Sequence, residues 1–355
     1  MMGKLATLSQ RFGIRWFIKD QHLSRLVVLT AVWLGFLALT RFGRFYSLLN
    51  FQTMAAQFPE YGIMALGVMV CMITGGIDLS VVGIANLTGI LMAFLLRSLT
   101  GDDGGLASYA IPLVLVLSIG IGATLGLFNG VLITRFRIPP ILATLGSGEL
   151  FIGICMALTG GAAVSRFSRR YAETINNRIL GNLIPVQLLF FVGAAVVIWF
   201  LLSKTVFGTK LYMLGTSPTA ARFSGLKTDW LLIKTYVLSG VCAAVGGMIM
   251  LANYNSARAD YGTVYTLQSI LIVILGGVSP FGGKGRIGGV VLAVVLIQLL
   301  QTGINRFPEI SSFFIFLLWG GVLILVMVLN LSTENRTRRA VRRAREQSAR
   351  TPSVR

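Results

Sequence analysis

Long apolar runs separated by short polar segments repeat along almost the whole chain. They lie at about 26–41, 53–73, 79–97, 110–133, 141–159, 185–203, 230–251, 266–279, 287–305 and 310–330. A helix needs about 20 apolar residues to cross the hydrocarbon core of a bilayer, and none of the runs alternates as the strands of a barrel do. Because helices satisfy their own backbone hydrogen bonds in lipid, the pattern predicts an all-α polytopic membrane protein with about ten transmembrane helices.

Composition and charge add an orientation to this pattern. The 355 residues are 55% hydrophobic and 12% charged, with a net charge of +19. Placing both termini in the cytoplasm puts more than two thirds of the 31 Lys and Arg on the inner side, as the positive-inside rule requires. The chain then divides into a cytoplasmic N-terminal segment at 1–25, a transmembrane domain at 26–331 and a basic cytoplasmic tail at 332–355.

Several classes of function do not fit these residues. The basic tail has no apolar face and follows a last span, where basic residues are common. We therefore expect it to lie near anionic lipid headgroups, with no nucleic-acid partner. Cys71, Cys155 and Cys242 lie in apolar runs without paired spacing, and the single His22 lies in the N-terminal segment. We expect no metal site, no disulfide, no catalytic residue and no cleaved signal peptide.

Two glycine pairs interrupt the apolar sequence. Gly75 and Gly76 stand in TGGIDLSVVG at 74–83, and Gly276 and Gly277 stand in ILGGVSPFGGKG at 274–285. Glycine permits a tight reversal, so both pairs predict helix breaks. Asp78 follows the first pair, and alternation of the spans puts it near the cytoplasmic side. We expect Asp78 to be the N-cap of the third span, with contact to a solute as the alternative.

The longest inner segment between spans, at about 204–229, is polar. It contains GTSPTAARFSGL at 215–226, in which the stretch PTAARFSGL is rich in small residues, includes Arg222 and is followed by Lys227. A short amphipathic helix lying at the membrane surface fits this composition. An ordinary connecting loop fits it equally well.

Five stretches together resemble a known family. They are GGIDLS (75–80), GLFNGVLITRFRIPPILATLG (126–146), GTSPTAARFSGL (215–226), YTLQSILIVILGGVSPFGGKGRIGG (265–289) and QTGIN (301–305). In this order they resemble the permease subunit of bacterial ATP-binding-cassette importers, in the ribose/xylose-type sugar permease family. The resemblance covers roughly 30–330 and implies a permease in the bacterial inner membrane, made of two copies or of two homologous chains.

The resemblance also implies partners and a coupling loop. A periplasmic binding protein would deliver the solute, and a cytoplasmic ATPase subunit would bind ATP and magnesium. The segment at 204–229 resembles the coupling loop that contacts this ATPase, and its matching residues are Gly215, Pro218, Ala220, Ala221, Arg222 and Gly225. The chain's own nearest approach to a P-loop, VSPFGGKG at 278–285, has Val278 for the first glycine and Gly285 for the final Ser or Thr. We therefore expect no cofactor and no enzymatic activity in this chain.

Polar side chains within spans are costly and are candidates for function. The candidates for the translocation pathway are Asp78, Asn86, Asn129, Gln268, Gln298 and Gln301. Asn86 and Asn129 would serve equally well as hydrogen bonds between helices. Gln298 and Gln301 share a helix face, whereas we expect Glu149 to have a structural partner.

Two departures and two alternatives accompany the resemblance. The family often carries acidic residues where this chain has Thr266 and Gln268, and glycine where it has Val82. An ion-coupled secondary transporter would need charged coupling residues near the midplane, and few charges lie in these spans. A membrane scaffold without transport would need neither the polar coupling loop nor broken spans. The scarcity of charge favours a sugar or another neutral solute.

Overall fold

The computed structural model describes residues 21–101 and 105–307, and beyond them only positions 317, 320, 321 and 324. The chain divides into two compact units, 1–307 and 308–355, and all the helices and strands named here belong to the first. Nearly all of the tenth predicted span and the whole basic tail lie outside the described residues, as does most of the N-terminal segment.

The described part of the chain is built almost entirely of helices. In order the elements are α1 (Gln21–Phe45), α2 (Leu48–Ile73), α3 (Val81–Ser98), α4 (Ala110–Arg135), α5 (Pro140–Thr159), α6 (Arg169–Ile175), β1 (Arg178–Ile179), β2 (Ile184–Pro185), α7 (Val186–Lys204), α8 (Val206–Thr216), α9 (Pro218–Phe223), α10 (Thr228–Tyr254), α11 (Tyr265–Leu275) and α12 (Ile287–Ile304). The two short strands form an antiparallel pair.

Eight helices in the described residues are long and apolar enough to cross a membrane, namely α1 to α5, α7, α10 and α12. The shorter α11 matches the eighth predicted run. The predicted all-α polytopic fold is therefore confirmed, and the nine described runs begin and end within a few residues of their predicted limits. The outer helix α6 and the pair of strands after it were not predicted.

Three helices form the interior of the bundle. α10 packs against α4, α2 and α3, and most side chains of α2, α3 and α10 are buried. In contrast α1, α4 and α7 expose large apolar side chains, among them Leu39, Val116 and Phe200. Such surfaces suit contact with lipid or with another subunit.

Glycines bring α4 and α10 into close contact. Gly122, Gly126 and Gly130 recur at every fourth position of α4, which places them on one face. A Cβ atom at Gly126 would strike the carbonyl of Tyr236, and one at Gly122 would strike the carbonyl of Gly240. The two backbones therefore pack directly on each other, as small residues allow in membrane bundles.

Candidate functional site

The segment at about 204–229 that resembles a coupling loop, and keeps that name below, contains two helices. After α7, the chain forms α8 and then the short α9, which begins at Pro218. Ser217 caps α9 by accepting a 3.2 Å hydrogen bond from the backbone N–H of Ala220, and Gly225, at φ +76°, follows its end. Of the two alternatives left open for PTAARFSGL, a short helix or a connecting loop, the structure has the short helix. Its contact with an ATPase stays a prediction.

The side chains of α9 divide into an anchored side and a free side. Ala221 is buried against the bundle, whereas Ala220 and Arg222 are exposed. Phe223 is 89% exposed, although a large apolar side chain gains most from burial. Phe223 was not among the residues predicted from the sequence. Only its exposure in the structure distinguishes it from the other large apolar residues.

Gly215 lies where the two helix breaks meet. The N–H of Gly283, in the second break, donates a 2.9 Å hydrogen bond to the carbonyl of Ile73, the last residue of α2. A Cβ atom at Gly215 would strike that carbonyl and lie 2.5 Å from the nitrogen of Gly283. A Cβ atom at Gly282 would lie 2.8 Å from both the Gly215 carbonyl oxygen and the Gly75 nitrogen. Main-chain atoms of the coupling loop thus pack on both breaks.

The two predicted glycine pairs divide the same two roles, in opposite order. Gly75 has φ +85° and Gly277 has φ +84°, a left-handed conformation that favours glycine. Gly76 and Gly276 permit close approach instead, and a Cβ atom at Gly276 would lie 2.7 Å from Cα of Val290. In each pair one glycine turns the chain and the other lets a neighbour pack.

Tyr212 provides a second link between the coupling loop and the second break. Its hydroxyl donates a 2.8 Å hydrogen bond to the carbonyl of Gly285. Burial raises the pKa of the Tyr212 hydroxyl, and the nearby positive charge of Arg286 partly opposes that rise. The hydroxyl therefore stays protonated and able to donate at neutral pH.

Asp78 is fully buried and accepts three hydrogen bonds. The backbone N–H and the hydroxyl of Ser80 donate to its Oδ1 at 2.9 and 2.6 Å, and the Ser239 hydroxyl donates to Oδ2 at 2.7 Å. Asn129 donates to the Ser80 hydroxyl at 2.7 Å. Asp78 and Asn129 therefore belong to one network that joins the start of α3 to α4 and α10.

Two expectations for Asp78 need correction. The N-cap of α3 is Ser80, and Asp78 lies two residues before it. The predicted position near the cytoplasmic side is also too shallow, because Ser239 is close to the middle of the 27-residue helix α10. The break runs back between helices, where protein rather than lipid surrounds its irregular backbone. No solvent-exposed surface remains on Asp78.

The other candidates for the pathway are dispersed. Asn86 donates to the carbonyls of Ala259 and Tyr261 at 2.8 and 2.9 Å, which ties α3 to the segment after α10. Gln268 is 2% exposed. Gln301 is half-buried on α12. These side chains do not converge with Asp78 on one site within the described residues.

Gln298 belongs to a separate polar cluster in the outer half of the bundle. The Tyr61 hydroxyl donates to Gln298 Oε1 at 2.6 Å. The Gln298 amide donates to Gln57 at 3.0 Å and to Thr302 at 3.1 Å. Gln298 itself is buried, while Gln57 is exposed. That Gln298 lines a translocation pathway stays a prediction.

Glu60, which sequence reasoning overlooked, lies beside this cluster. It is buried near the middle of α2. Asn253 donates to its carboxylate at 2.9 Å, Tyr254 does so at 3.5 Å, and Tyr265 also donates to it. The signal was available, because Glu60 is the only acidic residue in the run 53–73. Glu60 ties α2 to α10 and to α11. Its partner on α11, Tyr265, immediately precedes Thr266.

Within the described part of the chain, Glu149 has no structural partner of the kind that we expected. It lies near the middle of α5 and is exposed. None of the described residues forms a hydrogen bond or an ion pair with it. A carboxylate in this position is unusual in a spanning helix.

A family model and several relatives match the chain. The model described as "Branched-chain amino acid transport system / permease component" matches residues 50–329. Ribose import permease protein RbsC of Bacillus subtilis (strain 168) is 34% identical over 282 residues, which cover 79% of this chain and 84% of the relative. Autoinducer 2 import system permease protein LsrD of Escherichia coli (strain K12) is 31% identical over 282 residues, which cover 77% of this chain and 81% of the relative.

No solved structure matches the chain. The family match nevertheless spans every described helix and strand except α1 and the first two residues of α2. It includes the glycine breaks, the coupling loop and the bundle around them. The chain therefore belongs to this family of transport permeases, and it is the membrane-spanning permease subunit of an ATP-binding-cassette importer of the sugar-permease type.

Proposed function

We propose that this permease moves a sugar or a sugar-like neutral solute across the bacterial inner membrane. The chemistry of the bundle supports a neutral solute, since its polar side chains are mostly amides and hydroxyls, which can hydrogen-bond a polyhydroxylated molecule. The named relatives import ribose and autoinducer 2. The separate subunit that hydrolyses ATP also binds the magnesium, and this chain performs no chemistry on the solute.

The contact of Gly215 with Ile73 and Gly283 is the observation that carries the mechanism. The ATPase subunit docks on α9 and moves it when ATP binds. Because α8 packs on both breaks through main-chain atoms, the movement reaches α2 and α12 together. Helices that move as rigid bodies then open the bundle to one side or the other.

The exposed side of α9 supplies the docking surface. Arg222 pairs with an acidic group of the ATPase, in a charge-assisted hydrogen bond. Phe223 enters an apolar hollow next to it, which removes its exposed ring from water. Buried Ala221 anchors the helix to the permease, so that force applied at Phe223 is not lost in local bending.

Other partners complete the importer. A periplasmic binding protein delivers the solute to the outer surface, and a second permease, either a copy or a homologue, forms the other half of the membrane unit. The exposed apolar side chains of α1, α4 and α7 leave ample surface for that second permease and for lipid.

Charge reversal at Arg222 tests the coupling assignment. We expect Arg222→Glu to lower ATP-driven uptake of labelled D-ribose by about tenfold, the effect of roughly 1.4 kcal/mol of lost docking energy. The amount of permease in the membrane should not change. Arg97→Glu is the matched control, because Arg97 is also exposed but lies at the opposite end of the bundle. Wild-type uptake by Arg222→Glu would exclude this coupling surface.

The energy source has its own test. In vesicles that contain the complete importer, uptake should persist when the proton gradient is dissipated. It should stop when the P-loop lysine of the ATPase subunit is replaced, because that lysine holds the phosphates of ATP. The opposite pair of results would indicate an ion-coupled carrier instead.

A further inference from the structure

Three carboxylates of the described residues lie at the depth of the spanning helices, and their surroundings differ. Glu60 receives hydrogen bonds from Asn253, Tyr254 and Tyr265. Asp78 receives three from two serines. Glu149 receives none from the described part of the chain. The protein therefore supplies donors to the two carboxylates that it buries, whereas Glu149 is exposed and receives none from the described residues.

The neighbourhood of Glu149 is open rather than packed. Glu149 is the tenth of the 20 residues of α5, so it lies at the centre of the helix. Gly146 and Gly153 lie one turn away on either side, roughly on the same face. A Cβ atom added at either glycine would have no neighbour within 4 Å. Nothing within the described residues covers this face of α5.

The cost of a charge in lipid limits what this face can contact. An acidic side chain at the centre of a spanning helix costs about 2.5–3.5 kcal/mol by insertion measurements. Water removes that cost, because it donates the hydrogen bonds that the protein does not supply. A spanning helix meets water at its centre only where a water-filled cavity or pathway lies alongside it.

We propose that the face of α5 that carries Glu149 borders the aqueous translocation pathway. The second permease closes the pathway on the opposite side. The Glu149 carboxylate accepts hydrogen bonds from the hydroxyl groups of a passing neutral solute, and its charge repels anionic solutes such as sugar acids and sugar phosphates. The choice of solute class rests on the proposed function, whereas the contact of Glu149 with water does not.

Access to water can be measured without knowing the solute. Glu149→Cys, in the full chain assembled with its ATPase in membrane vesicles, should react with a small membrane-impermeant methanethiosulfonate reagent. Val116→Cys on the apolar surface of α4 is the control and should react only with a lipid-soluble maleimide. The chain without an added cysteine gives the background, since its own three are buried. Equal, slow labelling at both positions would overturn the proposal.

The charge of Glu149 has a separate signature. With Gly146→Cys as the reporter, a cationic methanethiosulfonate should react faster than an anionic one of similar size. Replacing Glu149 by Gln should reduce this preference by about fivefold, as expected for one charge at less than 10 Å in water. Glu173→Gln on the outer helix α6 should leave the preference unchanged. An unchanged preference in the Glu149→Gln variant would show that Glu149 does not set the potential of the pathway.

Uptake distinguishes the two levels of the proposal. Glu149→Gln retains a hydrogen-bonding side chain and should keep more D-ribose uptake than Glu149→Leu. If the unmodified importer moves no sugar at all, the proposed solute is wrong, but the labelling results still decide whether Glu149 faces water. If sugar uptake is robust and equal in both variants, Glu149 makes no contact with the solute.

Discussion

The N–H of Gly283 donates a 2.9 Å hydrogen bond to the carbonyl of Ile73. This bond joins the end of α2 to the loop before α12, although the two segments are far apart in the sequence. Gly215 of the coupling loop packs on both atoms. Movement of the coupling loop therefore cannot leave either break undisturbed.

A methyl group at Gly215 should separate these segments. We expect Gly215→Ala to lower the free energy of unfolding by about 1–3 kcal/mol, because the methyl group has no room beside the Ile73 carbonyl. ATP-driven uptake should fall further than the loss of folded protein explains. Thermal unfolding in detergent and uptake in vesicles measure the two effects. Gly288→Ala is the control, since a Cβ atom there meets nothing within 4 Å.

The Asp78 network should behave as a structural element. Asp78→Ala leaves the donors of Ser80 and Ser239 without their acceptor, which should destabilise the protein by about 3 kcal/mol. Asp78→Asn keeps one acceptor and should cost less. For the protein that does fold, the solute concentration at half-maximal uptake should match the wild type. A changed solute preference in Asp78→Asn would favour the alternative, direct contact with the solute.

Glu60 and Tyr265 should be energetically coupled. Their hydrogen bond ties α2 to α11, and hydrogen bonds to charged groups contribute about 1.5–3 kcal/mol. The variants Glu60→Gln, Tyr265→Phe and the double variant form a double-mutant cycle. We expect the double variant to be less destabilised than the sum of the two single ones. Simple addition would mean that the contact contributes nothing to stability.

Phe223 should matter for coupling and not for folding. Its ring is 89% exposed, so Phe223→Ala removes almost no packing from the isolated permease. We expect the unfolding temperature to stay the same while uptake decreases at least as much as in Arg222→Glu. Co-purification of the ATPase subunit with the permease reports docking directly. If the Phe223→Ala variant retained the ATPase fully, the docking surface would have to lie elsewhere on the permease.

Hydrophobic patterning predicted the spanning helices well because the lipid environment imposes one simple rule on long apolar runs. It could not place Asp78 correctly. Alternation of spans assigns each connection to a membrane surface, whereas the 74–80 break runs back among packed helices until Asp78 reaches Ser239. Depth within the bundle is a tertiary property that a one-dimensional pattern does not carry.

The polar residues show the same division. Residue type alone made Asn86, Asn129 and Gln298 candidates, but whether an amide joins two helices or lines a pathway depends on what lies opposite. Glu60 and Glu149 are both single acids within apolar runs, and the sequence offers no means to tell them apart. The three donors around Glu60 and the open face around Glu149 appear only when the helices are assembled.

The link between the two breaks consists of main-chain atoms, which every sequence carries. Replacing a side chain elsewhere in the bundle can alter what the importer accepts without removing that link. Permeases that share this arrangement can therefore differ in the solute they import while they keep the same contact between the coupling loop and the two breaks. Among such permeases, the side chains along the pathway are expected to vary with the solute that is imported, whereas the main-chain contact between the two breaks stays the same.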